Sequence, residues 1–224
     1  MKGDGSRPGL IVAIDVNDLA QAQELARALS PIVDGLKVGS TLFSAHGPEA
    51  LLEVGQHGRV FCDLKFHDIP SQVEGAVRAL AEQHVWMLTV HAAGGVPMMK
   101  AAAAAAGEAT TVAAVTVLTS LSTENGEHRV ESLAGSAIEA GLETVVCSPK
   151  EIAALKERFG DSLRLVVPGI RPSGATSGDQ ARVASPAEAA RLGADYVVVG
   201  RPIVEAPDPA AAAISILEEM QSAV

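Results

Sequence analysis

Residues 59–83 read RVFCDLKFHDIPSQVEGAVRALAEQ. The first part, 59–66, is a mostly apolar run with the length of a β-strand, and the second, 71–83, has the composition and length of a helix. Together they predict one strand followed by one helix. Parallel sheets are built by repetition of this unit.

The unit recurs along the whole chain. Helices are predicted to begin at or near Pro48, Pro97, Pro149, Pro186 and Pro209, where a missing N–H costs no hydrogen bond. Near-continuous Val, Ile and Leu runs are typical of parallel strands that are buried on both faces. Such runs lie at 10–16, 35–40, 59–66, 86–92, 111–119, 144–148, 164–170 and 195–200. Helical stretches lie at 20–29, 48–55, 71–83, 97–106, 130–140, 149–159, 186–192 and 209–221.

Strict alternation of eight strands with eight helices favours an α/β protein with a closed (β/α)₈ TIM barrel. The alternative is an open doubly wound sheet, but no G-x-G-x-x-G follows the first strand. No linker rich in Ser and Gly divides the chain, so we expect a single domain over 1–224 with an N-terminal tail at 1–9. About 28 residues are available for each unit, which leaves room for one lid.

Composition and charge exclude several functions. The 17 Lys and Arg against 27 Asp and Glu give a net charge of −10, which makes nucleic acid an improbable partner. Two cysteines, Cys62 and Cys147, are too few for a disulfide framework or a metal knuckle. No apolar run suits a membrane span, and the first residues, MKGDGSRPG, lack the apolar core of a signal peptide. We therefore expect a cytoplasmic protein that binds neither membrane nor nucleic acid.

Charged residues interrupt the strand-like runs near their C-terminal ends, where barrel enzymes have their active sites. Asp63 and Lys65 lie two residues apart, so a regular strand places them on the same face. Asp15 and Lys37 occupy similar positions in the first two strands, and Asp68 follows the third. A structural ion pair would account for Asp63 and Lys65 alone. Five charges at one barrel mouth are too costly unless they perform chemistry.

The last two strands predict a phosphate site. Barrel enzymes commonly bind phosphate with the loops after strands seven and eight. Gly200 allows a close approach of the backbone, and Arg201 offers a bidentate guanidinium group. The polar segment 171–180, which contains Arg171 and Gln180, is typical of a mobile lid. The alternative for Arg201 is an ordinary surface salt bridge.

Two histidines are weaker signals. We interpret His91 as a hydrogen-bonded residue of the barrel rim and His67 as a residue behind the charged cluster, not as bases. The sequence has no H-E-x-x-H, no C-x-x-C and no paired-histidine spacing, so it predicts no zinc site.

These motifs resemble those of the orotidine 5′-phosphate decarboxylase family in its bacterial form. The similar stretches run from residue 10 to 203 and read LIVAIDV, LKVGS, DLKFHDIP, TVHAAGG, AVTVLTS, VVPGIRP, GDQAR and ADYVVVGRPI. D-x-K-x-x-D alone is only moderately specific, but DLKFHDIP with PGIRP and VVVGRPI is highly specific. The resemblance implies a (β/α)₈ barrel and a homodimer. It also implies decarboxylation of orotidine 5′-monophosphate to UMP and CO₂ without cofactor or metal.

The resemblance further implies roles for individual residues. Lys65 would protonate C6 of the pyrimidine within a charge network formed with Lys37, Asp63 and an Asp68 that reaches across from the partner subunit. Gln72 stands in D-I-P-S-Q-V, where the common bacterial pattern D-I-P-N-T-V has a threonine that contacts the ligand across the dimer interface. The other implied substrate contacts are Asp15 with Lys37 at the ribose, Thr119 and Ser120 at the pyrimidine, Arg171, Gln180, Gly200 and Arg201 at the lid and phosphate, and Ile69.

Three other functions share parts of this pattern. Metal-dependent siblings, a keto-gulonate-phosphate decarboxylase or a hexulose-phosphate synthase, share D-x-K-x-x-D but bind Mg²⁺ through carboxylates and usually carry Glu on strand two. Here Lys37 puts a cation where a metal ligand should be. A non-catalytic barrel that binds a phosphorylated ligand, or a generic phosphate isomerase, would have no need for the alternation of lysine and aspartate.

Overall fold

Eight parallel strands form the centre of the protein in the computed structural model, which describes residues 7–117, 126–172 and 184–224. The strands pair in chain order, and β8 pairs with β1, so the barrel is closed. The predicted (β/α)₈ barrel is confirmed, and the open sheet is wrong. The strands are β1 (Gly9–Ala13), β2 (Gly35–Gly39), β3 (Val60–Phe66), β4 (Met87–His91), β5 (Thr111–Val115), β6 (Thr144–Val146), β7 (Arg164–Val167) and β8 (Tyr196–Val199).

Helices surround this barrel. The predicted ranges 48–55, 186–192 and 209–221 match the observed helices at both ends. The sequence predicts neither α2 nor α9, because both are short and follow directly on a strand. The helices are α1 (Leu19–Leu29), α2 (Ser40–His46), α3 (Pro48–Gly55), α4 (Pro70–Ala81), α5 (Gly95–Ala106), α6 (Gly126–Glu139), α7 (Ile152–Phe159), α8 (Pro186–Leu192), α9 (Arg201–Val204) and α10 (Pro209–Gln221).

Three of the five prolines that predict helix starts are the first residue of an α-helix. Pro48, Pro186 and Pro209 are the first residues of α3, α8 and α10. Pro149 instead begins a 3₁₀ turn before α7. Pro97 is the third residue of α5, not the first, where its missing N–H still has no partner within the helix.

Seven of the eight strands end one to four residues before the predicted boundary. The exception is β3, which ends at Phe66 as predicted. Several residues just past the ends of the strands line the mouth of the barrel, among them Asp15 after β1, Gly169 after β7 and Gly200 after β8.

Side chains on each strand alternate between two apolar layers. Leu36, Val38 and Cys62 pack outward against the helices, whereas Ala13 and Phe61 point into the barrel. Lys37 shares the inward face of β2 and is only 8% exposed. Because Lys37 follows the same alternation as its apolar neighbours, its charged side chain lies inside the barrel.

Aromatic side chains fill the opposite end of the barrel. Trp86 and Tyr196 make an edge-on contact with ring centroids 5.5 Å apart, and the Arg59 guanidinium lies 4.3 Å from the Trp86 ring centroid. A Cβ at Gly9 or at Gly35 would lie 2.6 Å from the Tyr196 or Trp86 ring, respectively. These glycines therefore make room for the rings.

The described elements all belong to this barrel and its helices. That residues 1–224 form one domain with a tail at 1–9 stays a prediction, although β1 begins at Gly9 and not at residue 10. No helix in the described ranges is long and apolar enough to cross a membrane.

Candidate active site

A cavity of about 400 Å³ opens at the C-terminal ends of the strands. Its volume is typical of sites that bind small molecules. Valines from four strands and Phe61 form its apolar walls. Its polar lining residues are Asp15, Gln21, Lys37, Asp63, Lys65, Arg171, Arg201 and Glu205.

Asp63 is the centre of the charged array. Lys65 Nζ lies 2.9 Å from both Asp63 carboxylate oxygens. Lys37 Nζ lies 3.6 Å from Asp63 Oδ2 and donates a hydrogen bond of 3.1 Å to Asp15 Oδ1. The structure therefore brings four of the predicted residues into one chain of alternating charge, Asp15–Lys37–Asp63–Lys65.

Gly39 leaves room for the outer pair of this array. A Cβ at this position would lie 2.8 Å from Asp15 Oδ1 and 2.9 Å from Lys37 Nζ, closer than real Cβ contacts come. Any larger residue would displace Asp15 or Lys37. The contact between these two side chains thus requires glycine at the last position of β2.

The environment keeps Asp63 ionised. Burial of the carboxylate favours its neutral form, but the Lys37 and Lys65 ammonium groups and hydrogen bonds from Lys65 and Thr89 outweigh burial. Their combined effect lowers the pKa of Asp63 below its ordinary value of 3.8. The carboxylate is therefore negative at neutral pH and balances the lysines on either side.

The contact between Lys65 and Asp63 depends on a backbone irregularity that the sequence does not predict. A regular strand would place both side chains on one face, but β3 is irregular between Cys62 and Phe66. Lys65 has a φ of +54°, in the left-handed region that residues other than glycine rarely adopt. Both side chains line the cavity as expected, but they do so through a bulge and not through strand alternation.

Thr89 is a site residue that sequence reasoning missed. Its Oγ1 lies 2.9 Å from Asp63 Oδ1 and 2.9 Å from the Lys65 backbone nitrogen. The side chain is fully buried in β4. A polar residue in the middle of the apolar run MLTVH was the available signal.

His91 lies at the end of β4, and its ring centroid is 5.5 Å from that of His67. Burial, followed by the nearby His67 and Lys65, lowers the pKa of His91 below its ordinary value of 6.5. At neutral pH its imidazole is therefore uncharged. Neither histidine lines the cavity, and the interpretation of His91 as a hydrogen-bonded rim residue stays a prediction.

The predicted phosphate residues surround one side of the cavity. Arg171, Gly200 and Arg201 all line it. The Arg171 backbone N–H donates to the Ala184 carbonyl at 2.9 Å, so the first residue of the predicted lid segment pairs with the chain just before α8. Gln180 belongs to that segment and lies outside the described residues, as do Thr119 and Ser120.

Three further predicted residues lie outside the cavity. The Asp68 side chain is exposed on the rim and accepts a hydrogen bond of 2.7 Å from the Ile69 N–H. It makes no ion pair within the described part of the chain, and its contribution to the array of a partner subunit stays a prediction. Ile69 is 61% exposed, and Gln72 is exposed at the start of α4.

The site is not built like a metal centre. Among residues 7–117, 126–172 and 184–224, no three His, Cys, Asp or Glu side chains are grouped to hold a metal ion. Of the three carboxylates that line the cavity in these ranges, Asp15 and Asp63 are paired with lysines, and Glu205 is the third.

A closed barrel with an array of lysine and aspartate at its C-terminal mouth defines an enzyme of the (β/α)₈ class. The model of the orotidine 5′-phosphate decarboxylase / HUMPS family matches residues 8–216. The chain belongs to this family.

Individual relatives agree with this assignment. A protein of Anaeromyxobacter sp. (strain K) named orotidine 5′-phosphate decarboxylase is 52% identical over 92% of this chain and 96% of its own. Another of that name from Moorella thermoacetica is 50% identical over 95% of this chain and 92% of its own. The crystal structure of orotidine 5′-phosphate decarboxylase from Lactobacillus acidophilus superposes with a TM-score of 0.83 at 36% identity, covering 96% of this chain and 99% of that one.

Proposed function

We propose that this protein decarboxylates orotidine 5′-monophosphate to UMP and CO₂ without a cofactor. The observation that carries the proposal is the position of Asp63 in the cavity wall, 2.9 Å from Lys65 Nζ and 3.6 Å from Lys37 Nζ. The relatives that share this chain's length carry the name of that activity.

The array suits the difficulty of the reaction. When the bond between C6 and the carboxylate breaks, CO₂ leaves and the electron pair stays on C6, where no adjacent carbonyl can accept it. A fixed ammonium group at Lys65 stabilises this negative charge as it forms. Lys65 Nζ–H then donates its proton to C6, which gives UMP, and the neutral amine regains a proton from water.

Asp63 has two effects in this scheme. It holds Lys65 in place, since its carboxylate accepts the lysine's hydrogen bonds. It would also lie near the substrate carboxylate, where repulsion between like charges disfavours the bound ground state. Both effects lower the barrier between the bound substrate and the carbanion.

The rest of the cavity would bind the nucleotide. Asp15 and Lys37 would hold the ribose hydroxyls, and Thr119 and Ser120 would contact the pyrimidine. Arg171, Gln180, Gly200 and Arg201 are assigned to the phosphate. Binding energy from this remote group can close the site and orient the reacting atoms.

The metal-dependent siblings fit the geometry less well. Lys37 Nζ lies between Asp15 Oδ1 at 3.1 Å and Asp63 Oδ2 at 3.6 Å, so an ammonium group occupies the space between these carboxylates. A divalent cation bound by both would have to displace it.

Ultraviolet absorbance of orotidine 5′-monophosphate in the presence of EDTA tests the proposal and this alternative together. We expect the wild-type protein to consume the nucleotide at the same rate with and without the chelator. Activity that EDTA abolishes and Mg²⁺ restores would favour a metal-dependent sibling. No consumption under either condition would overturn the proposed reaction.

We further propose that the protein works as a homodimer in the cytoplasm, with Asp68 completing the site of the partner subunit. Asp68, Ile69 and Gln72 form an exposed patch on the rim next to the mouth. Ile69 is among the most exposed large apolar side chains of the described residues. A second copy packed there would bury Ile69 and bring a carboxylate toward the neighbouring Lys65.

Mixing two inactive variants tests this arrangement. Lys65→Ala and Asp68→Ala are each expected to have little activity as homodimers. If Asp68 acts across the interface, each mixed dimer has one intact site, and an equal mixture after subunit exchange recovers about a quarter of wild-type turnover. No recovery in a mixture shown to contain mixed dimers would mean that Asp68 acts within its own subunit.

A further inference from the structure

The Thr89 hydroxyl group donates one hydrogen bond and accepts another. The residue is 0% exposed on the inward side of β4. Its Oγ1 donates to Asp63 Oδ1 at 2.9 Å and accepts from the Lys65 backbone N–H at 2.9 Å. An ionised carboxylate can only accept and a backbone N–H can only donate, so the direction of both hydrogen bonds is fixed. One buried side chain thus contacts both central residues of the array.

The irregularity of β3 explains why a side chain is needed at this point. Cys62 pairs with Leu88 and Phe66 with Val90, so residues 63–65 of β3 lie opposite the single residue Thr89 of β4. A ladder with this mismatch leaves a backbone N–H without its regular partner. The Thr89 hydroxyl accepts the hydrogen bond from that N–H, which belongs to Lys65.

Lys65 also has an unfavourable backbone conformation. Its φ of +54° lies in the left-handed region, which only His84 shares with it among the described residues other than glycine. Such conformations persist only where the surroundings hold them, and they are frequent at functional sites. The hydrogen bond from Lys65 N to Thr89 is a contact that holds it.

We propose that Thr89 is a positioning residue of the active site, which orients the Asp63 carboxylate and holds the Lys65 backbone in the conformation that directs its ammonium group at Asp63. This inference rests on the proposed decarboxylation, because it assigns Thr89 to the same reacting groups. Thr89 does not line the cavity and has no direct contact with bound substrate in this account.

The pKa of the Asp63 carboxylate depends both on the charged groups around it and on the Thr89 hydroxyl group. Lys37 faces it from β2 and Lys65 from β3, while Asp15 lies beyond Lys37. Interactions of Asp63 with Cys62 and His91 are also present. The Thr89 hydrogen bond adds to the two lysines in lowering the pKa of Asp63. Its loss leaves the lysines in place, so the pKa of Asp63 rises but the carboxylate remains ionised at neutral pH.

Two substitutions separate the hydroxyl from the shape of the side chain. Thr89→Val keeps the volume and removes the hydroxyl, and Thr89→Ser keeps the hydroxyl. We expect Thr89→Val to lower kcat by about 10- to 100-fold with little change in KM, since a hydrogen bond to a charged group that orients the proton donor is lost. We expect Thr89→Ser to stay within about threefold of the wild-type kcat. Thr89→Ala, which also lacks the hydroxyl, replaces Thr89→Val if the latter does not fold.

A matched control is available at the other end of the barrel. Thr110 is also buried, and its Oγ1 donates to the Val85 carbonyl at 2.7 Å. Thr110→Val therefore removes one buried hydroxyl without touching the array. It is expected to lower thermal stability and to leave kcat and the titration of Asp63 unchanged.

The titration of Asp63, followed by the ¹³Cγ resonance that disappears in Asp63→Asn, tests the proposal without turnover. We expect its midpoint to rise by about one pH unit in Thr89→Val and to stay at the wild-type value in Thr89→Ser and Thr110→Val. An unchanged midpoint and unchanged kcat in Thr89→Val would overturn the role of Thr89. If wild-type protein does not consume orotidine 5′-monophosphate but the midpoint shifts as expected, the positioning role stands and the proposed reaction fails.

Discussion

Lys65→Ala is expected to reduce decarboxylation of orotidine 5′-monophosphate by at least about 10⁴-fold, because it removes both the proton donor and the charge that stabilises the carbanion. The barrel should remain folded, since the Lys65 side chain lies at the wall of the cavity and not in the apolar core. Asp63 keeps Lys37 as a partner, at 3.6 Å. Steady-state turnover and circular dichroism would measure the two expectations separately.

Lys156→Ala is the matched control for this experiment. Lys156 is also partly buried and pairs with an aspartate, with its Nζ 2.8 Å from Asp195 Oδ2. It does not line the cavity, so its loss should leave turnover unchanged. Turnover of Lys65→Ala within tenfold of the wild-type rate would reject Lys65 as the proton donor.

Asp63→Asn is expected to lower both activity and stability. The substitution leaves the ammonium groups of Lys37 and Lys65 close together without the carboxylate between them. Breaking a buried ion pair in this way costs about 3–5 kcal/mol, and partial exposure of Lys65 reduces the expected loss in unfolding free energy to about 2–3 kcal/mol. Turnover should fall by at least about 10³-fold, because Lys65 loses the group that orients it. Chemical denaturation and steady-state kinetics would measure these changes.

The loss of stability in Asp63→Asn should be largest near neutral pH and should decrease as the pH falls. The pKa of Asp63 is lower in the folded protein than its ordinary value of 3.8, so the folded state binds this proton less readily than the unfolded state. The stabilisation is therefore fully present above about pH 5 and is lost as the pH falls below about 4. The difference in unfolding free energy between wild type and Asp63→Asn should therefore decrease as the pH falls from about 5 to below about 4. A difference that is constant or grows toward low pH would contradict the electrostatic account.

Asp195→Asn is the corresponding control. Its carboxylate pairs with Lys156 and accepts the Leu165 N–H at 2.8 Å, but it lies away from the cavity. We expect a loss of stability with unchanged turnover, which would distinguish a general cost of removing an ion pair from the specific role of Asp63.

The sequence was sufficient to predict the barrel and most of its charged site. Eight Val- and Ile-rich runs alternate with helices, and apolar burial on both faces leaves few other arrangements for such runs. Asp15, Lys37, Asp63 and Lys65 were identifiable because charged residues near the ends of buried strands are unfavourable unless they have a function. The ends of the strands were less predictable, since the apolar pattern continues past Ala13 and Val115 after the ladder has stopped.

The remaining features depend on contacts between distant residues. The bulge in β3 arises from its pairing with β4, and no local pattern in DLKFHD indicates that Lys65 has a positive φ. The role of Thr89 follows only from that pairing. Asp68 is exposed on the rim just after β3, and its contribution to the site of a partner subunit depends on a contact between two chains.

The distribution of charge explains how an acidic chain can bind an anionic nucleotide. The protein has a net charge of −10, yet in the described part of the chain four cationic side chains, Lys37, Lys65, Arg171 and Arg201, line one cavity beside three carboxylates. Local positive charge in a cleft with apolar walls has a stronger effect on a bound anion than dispersed surface charge does. The scarcity of aromatic side chains fits a pyrimidine held by hydrogen bonds and valine walls.

The NMR spectrum of the product formed in D₂O with EDTA present tests most directly whether Lys65 protonates C6. Wild-type protein is expected to convert orotidine 5′-monophosphate completely to UMP carrying deuterium at C6, because Lys65 Nζ exchanges its protons with solvent before it donates to C6. Under the same conditions Lys65→Ala should leave the substrate unchanged. Unchanged substrate with the wild-type protein, or formation of the same product by Lys65→Ala at a comparable rate, would contradict decarboxylation with Lys65 as the proton donor.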